Sequence, residues 1–420
     1  MKKLFVFIFI MYALHIVSAQ SLLDTYKKGV VKLTPDTEYA QSNNWDKVFE
    51  TYYDKVMEKP MGDRKSLVLM PNGNVVVSHP YRNFYSMFDA NGKFVKEFGI
   101  TGDGKQFQKT KPIAGIINNN FFTEIDNMGK IVFFDFDGNY VKTLKINYDV
   151  KTIIPMSNNK LAVVGWVIWK DSFRDLVAIV DYETNEQKII WDHFTKDSGI
   201  EKNTLFNYSY TFHNGGIVHF GSMPYTGRLG VSPPQISFVN NRLIVALPHS
   251  GEILMYDVNG KLISKETVGW GKSTISVAEQ KEIQRKAIED FKSQKSIWAP
   301  EGTPKEESAK ALTTILKQME ADLTKITTPI NVPIFSNVIK DSDGNLLFFE
   351  IPKEEGANKF HVWVYENGGK FVCECTFECD DYDLAITPSK MVFHKGYIYA
   401  LQTLKNKKGM PLRLLRFRVN

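Results

Sequence analysis

Histidine, aromatic and arginine side chains in inter-strand loops are the groups of this sequence best suited to ligand contact. Histidine can bind a metal or act as a general acid or base. Tyrosine, tryptophan and arginine contribute large contact energies at binding sites. Three loops after strand-like stretches contain such residues. The predicted ligand-binding residues are His79, Tyr81, Arg82, Trp166, Trp169 and His249.

Each of these residues also has a simpler explanation. A loop histidine that caps a backbone group or faces solvent is favoured for His79 and His249 over metal binding or acid–base work. For Trp166 and Trp169, filling the space between sheets is at least as favoured. The sequence contains no G-x-S-x-G, no H-E-x-x-H and no phosphate-binding glycine loop. It therefore predicts no catalytic residue and no metal site, although ligands supplied by separate strands would leave no local motif.

The three cysteines lie close together, at Cys373, Cys375 and Cys379. Cys373 and Cys375 are two residues apart in a strand-like stretch and project to one face. Their spacing lacks the second ligand pair of a zinc site. Ordinary buried cysteine, with or without one disulfide among the three, is the preferred interpretation.

The strand-like stretches that carry these loops belong to a repeat. An apolar residue, an acidic residue and a short turn precede a strand at five places, which begin at Phe88, Phe134, Val180, Tyr256 and Tyr365. Most of these turns contain Asn-Gly or Asp-Gly, which are hairpin signals. The first three copies are spaced 46 residues apart, and the next gaps are 76 and 109 residues. A period near 46 matches a four-stranded propeller blade.

The repeat predicts an all-β fold, a six-bladed β-propeller with a helical-hairpin insertion; five or seven blades are alternatives. A strand at 30–33 would complete the last blade and close the ring. The segment Phe88–Gly99, with Gly102-Asp103-Gly104, Gln106-Phe107 and Pro112, resembles the NHL-repeat propellers of exported Gram-negative proteins. That resemblance supports the fold much more than an activity. The predicted blades lie near 64–99, 112–146, 150–191, 233–268, 334–377 and 386–420.

Two insertions explain the long gaps. The first, at 191–234, is rich in aromatic residues and contains a hairpin around Asn214-Gly215. The second is a helical hairpin at about 276–326, with a capping box at Ser276–Glu279 and a second helix that begins near Pro304. We expect the apolar stripe of that second helix to pack on the propeller rather than to bind a partner. Both insertions and the longer loops leave from one end of the blades.

Residues 1–19 have the basic, apolar and small-residue order of a secretory signal peptide. Its removal takes away Lys2 and Lys3 and lowers the net charge from +5 to +3, which gives no case for a nucleic-acid partner. No later segment is apolar enough to span a membrane. The predicted organisation is a signal peptide at 1–19, an N-terminal segment at 20–63 that contributes the closing strand, and the propeller at 64–420.

The sequence favours a noncatalytic binding or scaffold propeller, exported to the periplasm or exterior of a Gram-negative bacterium. It would recognise an envelope protein, peptide or glycan through the face built from 78–83, 165–171, 191–234 and 269–333. The alternative is a metal-dependent hydrolase or lyase of the lactonase type, with a site near the central channel at which His79 and His249 act. The absence of a recognisable catalytic motif favours the binding or scaffold hypothesis. Cofactor, ligand and oligomeric state stay open.

Overall fold

The computed structural model describes residues 21–54, 59–60, 65–79, 83–101, 111–125, 129–169, 172–195, 207–221, 233–270, 274–294, 297, 299–331, 333–351, 358–367, 369–405 and 410–419. Four separate sheets each contain four antiparallel strands, which we call A to D from the centre of the molecule outwards. Sheet by sheet, these strands are Ser66–Leu69, Val75–Ser78, Tyr85–Phe88 and Phe94–Phe98; Gly115–Ile117, Asn120–Ile125, Lys130–Phe134 and Tyr140–Lys145; Asp149–Pro155, Lys160–Trp169, Ser172–Asp181 and Gln187–Thr195; and Gln235–Val239, Arg242–Leu247, Glu252–Asp257 and Leu262–Thr267.

A nine-stranded sheet contains the remaining large strands. Strand Val30–Pro35 lies in its middle and joins two strand groups, which we call the fifth and the sixth. Its first half pairs in parallel with Phe371–Glu378, and its second half pairs antiparallel with Leu412–Val419. The fifth group consists of Phe335–Lys340, Leu346–Glu350, Lys359–Tyr365 and Phe371–Glu378; the sixth of Tyr382–Asp383, Met391–His394, Tyr397–Leu404 and Leu412–Val419.

The inner strands of these groups form a ring. The inner strand is strand A in the four sheets, Phe335–Lys340 in the fifth group and Met391–His394 in the sixth. Each inner strand contacts the inner strand of the next group, from the second sheet to the sixth group and on to the first sheet. The Ser66 hydroxyl donates to the carbonyl oxygen of Ile113 at 3.1 Å, which links the first sheet to the second. Among the described residues, no helix is both long and apolar enough to span a membrane. The chain is an all-β propeller with few helices.

A separate hydrophobic cluster fills the gap between each pair of neighbouring strand groups. Successive strand residues point to opposite faces, so one strand supplies two clusters. In the second sheet, Phe121 packs toward the first sheet and Phe122 toward the third. Apolar residues on both faces are therefore required, which explains why the central strands read as continuous apolar runs.

The N-terminal segment fills the gap between the sixth group and the first sheet. Phe49 and Tyr52 are fully buried there against Val77 and Leu414. Two short helices, Leu22–Tyr26 and Trp45–Val48, the 3₁₀ turn Glu50–Tyr52 and the small hairpin of Tyr53–Asp54 with Lys59–Pro60 complete this segment.

In each sheet, tight turns join strand A to strand B and strand C to strand D at one end of the propeller, which we call the tight-turn end. In the strand C to D turns, an aspartate side chain accepts two backbone N–H groups of its own turn. Asp257 Oδ1 accepts from Asn259 and Lys261, both at 2.9 Å. Gly260 in this turn has a φ of +74°, a conformation that glycine adopts without strain. The repeated acid-to-glycine pattern of the sequence thus has a local physical cause.

The other end, which we call the loop-rich end, carries both insertions. Strands Asn207–Thr211 and Ile217–Gly221 form the expected hairpin. Helices Val277–Lys292 and Lys305–Lys325 pack against each other, and the first begins with the predicted capping box at Ser276. Strands Thr274–Ile275 and Ile330–Asn331 pair at their base. We call residues 207–221 and 274–331 together the cap.

The helix stripe packs differently from our expectation. Ile315 and Met319 lie in one core with Tyr208 and Phe212 of the hairpin, and not in any cluster between the sheets. The expected packing on the propeller is therefore wrong, because the first insertion already offers the stripe an apolar partner surface. Buried Gln284 strengthens this core, since its amide donates to the Tyr208 hydroxyl at 2.7 Å and to the Met319 carbonyl oxygen at 2.9 Å.

Candidate functional site

The third sheet extends further toward the loop-rich end than the others. Its strands B and C, Lys160–Trp169 and Ser172–Asp181, each have ten residues and pair along their whole length. Trp166 lies opposite Asp175, and Asp175 lies opposite His193 on strand D. Residues directly opposite each other on adjacent strands share a face, so these three side chains form one row.

Lys151 completes this row from the inner strand. A register shift between Val150 and Thr152 marks a bulge, and Lys151 is its unpaired residue. Bulges redirect side chains. Here the Lys151 ammonium lies 3.1 Å from Asp175 Oδ1 and 5.7 Å from the centre of the Trp166 ring. Asp175 is only 5% exposed, whereas the lysine side chain is about one quarter exposed.

The electrostatics of Asp175 combine burial with several nearby cationic groups. Burial raises the pKa of Asp175, and the Lys151 ammonium and the positive forms of His193 and His249 partly offset that increase. His249 belongs to the loop between strands B and C of the fourth sheet and is exposed. We call Lys151, Trp166, Asp175, His193 and His249 the Asp175 cluster.

A second buried ion pair lies between the second and third sheets at the same end. Lys111 Nζ is 2.7 Å from Glu124 Oε2 and donates to the carbonyl oxygen of Val150 at 3.0 Å. Glu124 is 3% exposed. Two successive gaps between sheets therefore each contain a buried carboxylate paired with a lysine. Lys151 lies on the inner strand of the third sheet, and Lys111 lies just before the inner strand of the second. Such groups present several donors and acceptors with no net charge, which suits a polar ligand.

The structure brings two of the predicted ligand-binding residues together and separates a third. Trp166 lies opposite Asp175, and His249 is near enough to influence the pKa of that carboxyl. His79 is instead buried at 2% exposure, where its ring packs on Tyr52 and its Nε2 contacts the carbonyl oxygen of Thr51. The backbone of Trp169 ends strand B, but its side chain lies outside the described parts. Tyr81 and Arg82 also lie outside the described residues.

Sequence reasoning missed Lys151, Asp175 and His193. Their signal was weak: a charged residue immediately before the apolar run of strand C, and a lysine in an alternating strand. The three residues lie on different strands of the third sheet, and only the register of its four strands shows that they are neighbours.

The three cysteines lie far from this cluster. Cys375 and Cys379 are buried, Cys373 is partly buried, and all three are free thiols in the core between the fifth and sixth groups. Burial raises the pKa of Cys375 to about 12, which makes its thiol a poor nucleophile near neutral pH.

Within the described ranges, no group of three histidine, cysteine, aspartate or glutamate side chains is arranged to hold a metal ion. The Asp175 cluster contains one carboxylate and two histidines around a lysine. Its ammonium competes with any cation for Asp175, which makes the cluster better suited to hydrogen bonding than to metal binding.

Comparisons with known proteins found only distant similarity, to several solved structures. No family model and no curated protein matches the chain. A DUF4221-family structure from Bacteroides vulgatus is 11% identical, covers 93% of this chain and 99% of its own, and has a TM-score of 0.46. A streptogramin B lyase is 12% identical, covers 85% and 94%, and has a TM-score of 0.35. BamB from Moraxella catarrhalis is 7% identical, covers 86% and 84%, and has a TM-score of 0.32. Similarities this distant do not transfer an activity.

Proposed function

We propose that this chain is a noncatalytic binding or scaffold propeller of the cell envelope, which recognises a protein, peptide or glycan at its loop-rich end. The observation that carries this proposal is the difference between the two ends. The loop-rich end has the cap, the extended third sheet and the Asp175 cluster, whereas the described part of the opposite end consists of tight turns, on some of which the N-terminal segment packs, as at Asp343 and Asn91. Binding sites concentrate on such loops, held by a rigid scaffold.

The proposal includes the finer architecture. Six hydrophobic clusters and a ring of six inner strands support six blades, with strand Val30–Pro35 supplying the last strand of the sixth blade. The sequence resemblance at Phe88–Gly99 supports the NHL type. The signal-peptide pattern at residues 1–19 supports export to the periplasm or exterior of a Gram-negative cell, with the mature chain at 20–420.

The surface within the loop-rich end can be tested residue by residue. Trp166 offers an indole beside a lysine, and His249 an exposed ring on a neighbouring loop. We include His79 as a supporting residue of the first sheet, since its burial fits it for packing rather than for contact. Tyr81, Arg82 and Trp169 remain proposed contacts on the loops of the first and third sheets.

The test is capture of partners from envelope extract by the immobilised full-length chain, followed by identification and measurement of affinity. We expect Trp166→Ala and His249→Ala each to weaken binding about tenfold, the loss of a typical contact of 1.4 kcal/mol. His394→Ala, a histidine substitution at the tight-turn end, is the matched control and should bind as the parent does. Equal binding by all variants would exclude this site, and turnover of a captured lactone or glycan would exclude the noncatalytic function.

A cap deletion must remove both of its parts. Deleting only the helices would expose Tyr208, Phe212 and Val218 of the hairpin core. We therefore expect a variant with short linkers in place of 207–221 and 276–329 to stay soluble, whereas a variant lacking only 276–326 should aggregate.

A further inference from the structure

One loop is attached to both points where the second insertion of the cap leaves the propeller. Val268 and Ile334 flank the second insertion, and we call them the cap roots. Val268 N–H donates to the carbonyl oxygen of Gly251 at 2.9 Å, and Ile334 N–H donates to that of Pro248 at 2.8 Å. A shift of the loop at 248–251 therefore moves the acceptors of both roots together.

The contact between this loop and the roots leaves little free space. A side-chain carbon at Gly251 would lie 3.0 Å from Val268 Cγ2 and 3.1 Å from Ile334 Cδ1. Gly251 also has a φ of +71°, in the left-handed region that favours glycine. Closely packed groups transmit small displacements, because an interior without voids cannot absorb them.

The same loop reaches the Asp175 cluster from the other side. Leu247, directly before the loop, packs in the cluster between the third and fourth sheets with Val177 and Trp191. Val177 is two residues from Asp175 on the same face, and Trp191 stacks on His193 with ring centroids 6.3 Å apart. His249 itself is near enough to Asp175 to influence its ionisation. A continuous packed path thus runs from Asp175 to the cap roots.

The cap has a hydrophobic core of its own, which holds its hairpin and helices together as one unit. Its core of hairpin and helix residues shares no member with the clusters between the sheets. Its second insertion leaves the propeller through the paired strands Thr274–Ile275 and Ile330–Asn331, which hold the two chain segments together. Trp270, next to one root, stacks on Trp363 at 4.4 Å. The cap therefore has its own core, and its second insertion is attached to the propeller through these roots.

We propose that the 248–251 loop couples the Asp175 cluster to the cap, so that occupation of the cluster changes how firmly the cap roots are held. This inference rests on the proposed function, in that the cluster is the binding site whose occupation is sensed. Binding of a ligand to His249 and Trp166 would draw the loop toward the third sheet and thereby shift the acceptors of both roots. By linkage, the position of the cap changes the affinity for the ligand by the same factor.

Hydrogen exchange on the ligand-free, full-length protein tests this coupling. We expect Asp175→Asn to raise the exchange rates of the Val268 and Ile334 amides by about fivefold or more, the lower limit of typical coupling between sites. Glu124→Gln is the matched control, since it alters the equivalent buried ion pair one gap away, and it should change these rates less than twofold. Gly251→Ala is the positive control and should raise them at least as much as Asp175→Asn.

Three results would overturn the inference. The first is that Asp175→Asn leaves the exchange rates of the Val268 and Ile334 amides unchanged while Gly251→Ala raises them. The second is that Glu124→Gln raises these rates as much as Asp175→Asn does. The third is that Asp175→Asn raises exchange rates evenly over the whole propeller. If the Asp175→Asn variant does not fold, Lys151→Met removes the same ion pair, and the exchange rates of the two root amides are measured in that variant instead. Because no ligand is present, failure here is independent of whether the capture experiment succeeds, and a failed capture leaves the exchange result valid.

Discussion

The two ends of the propeller use acidic side chains in different ways. At the tight-turn end, aspartates such as Asp257 bind backbone groups of their own turn, within four residues. At the loop-rich end, Glu124 and Asp175 pair with lysines 13 and 24 residues earlier in the sequence. The first arrangement stabilises a hairpin locally, whereas the second depends on the register of several strands. One end is therefore stabilised within single turns, whereas the end proposed for binding depends on contacts between distant residues.

The largest expected effect comes from a glycine at the tight-turn end. A side chain at Gly260 would approach Ile190 Cγ2 to 2.4 Å, and the residue has a φ of +74°. We expect Gly260→Val to cost about 4 kcal/mol of global unfolding free energy, from backbone strain and overpacking together. Gly215→Ala at the other end is the control, because no atom lies within 4 Å of the added carbon; it should cost about 1 kcal/mol. Urea denaturation measures both, and equal losses would remove the contrast.

The cap should lose stability separately from the propeller. Ile315 is fully buried in the cap core, and Ile315→Ala should cost about 3 kcal/mol by removing packed methyl groups. We expect hydrogen exchange to accelerate across 277–325 while strands of the fourth sheet keep their protection. Leu312→Ala, at a partly buried position, is the matched control with a smaller effect. Simultaneous loss of protection in both regions would show that the cap is not an independent unit.

An ion pair near the tight-turn end should make stability depend on pH. Arg416 donates to Asp36 Oδ2 at 2.7 and 3.0 Å, and Asp36 is nearly fully buried. Although burial raises the pKa of Asp36, its bonds to Arg416 and to the Glu38 amide leave that pKa below its usual value. A lowered carboxyl pKa stabilises the fold above the unfolded-state value near 3.9, and this contribution is lost as pH falls through the folded-state pKa.

We therefore expect Asp36→Asn to cost about 2–3 kcal/mol at pH 7. The difference between the parent and the variant should shrink below about pH 4, where Asp36 of the unfolded parent takes up a proton while the folded parent still holds the carboxylate ionised. Denaturant midpoints at pH 7 and pH 3 provide the measurement. A difference that stays constant between the two pH values would contradict the assigned role of the carboxylate.

The smallest stability effect should come from the candidate site. Burial disfavours the charged form of Asp175, and Lys151 is exposed enough to be hydrated once its partner is gone. We expect Asp175→Asn to cost less than about 1 kcal/mol, because the amide oxygen still accepts from Lys151. Urea denaturation beside Asp36→Asn makes the comparison direct. A loss as large as that of Asp36→Asn would make the cluster a structural element rather than a recognition site.

The sequence predicted well those features that are encoded within a few residues. The repeated turns, the hairpin around Asn214-Gly215 and the capping box at Ser276 each depend on local hydrogen bonds and backbone conformation. Their residue types therefore identify them without knowledge of the fold. The propeller itself followed from the repetition of these turns.

Features that require distant segments to meet were not predictable in this way. The apolar stripe of Lys305–Lys325 showed that a helix face is buried, but its partner, the hairpin near Tyr208, lies about 100 residues earlier. His79 and His249 looked equivalent in sequence, yet the N-terminal segment buries one and leaves the other exposed. Asp175 and Lys151 meet only because a bulge in strand A of the third sheet turns the lysine toward strand C.

Strand Val30–Pro35 has a consequence for the order of folding. Thr34 lies opposite Arg418, so this contact encloses nearly the whole chain in one loop. Closing so long a loop costs more entropy than pairing neighbouring strands, and contacts of this kind slow folding. The individual sheets can form from local hairpins before this contact is made. The N-terminal strand must then wait, unpaired along one edge, until the last strand arrives, and during that interval the chain depends most on protection from aggregation.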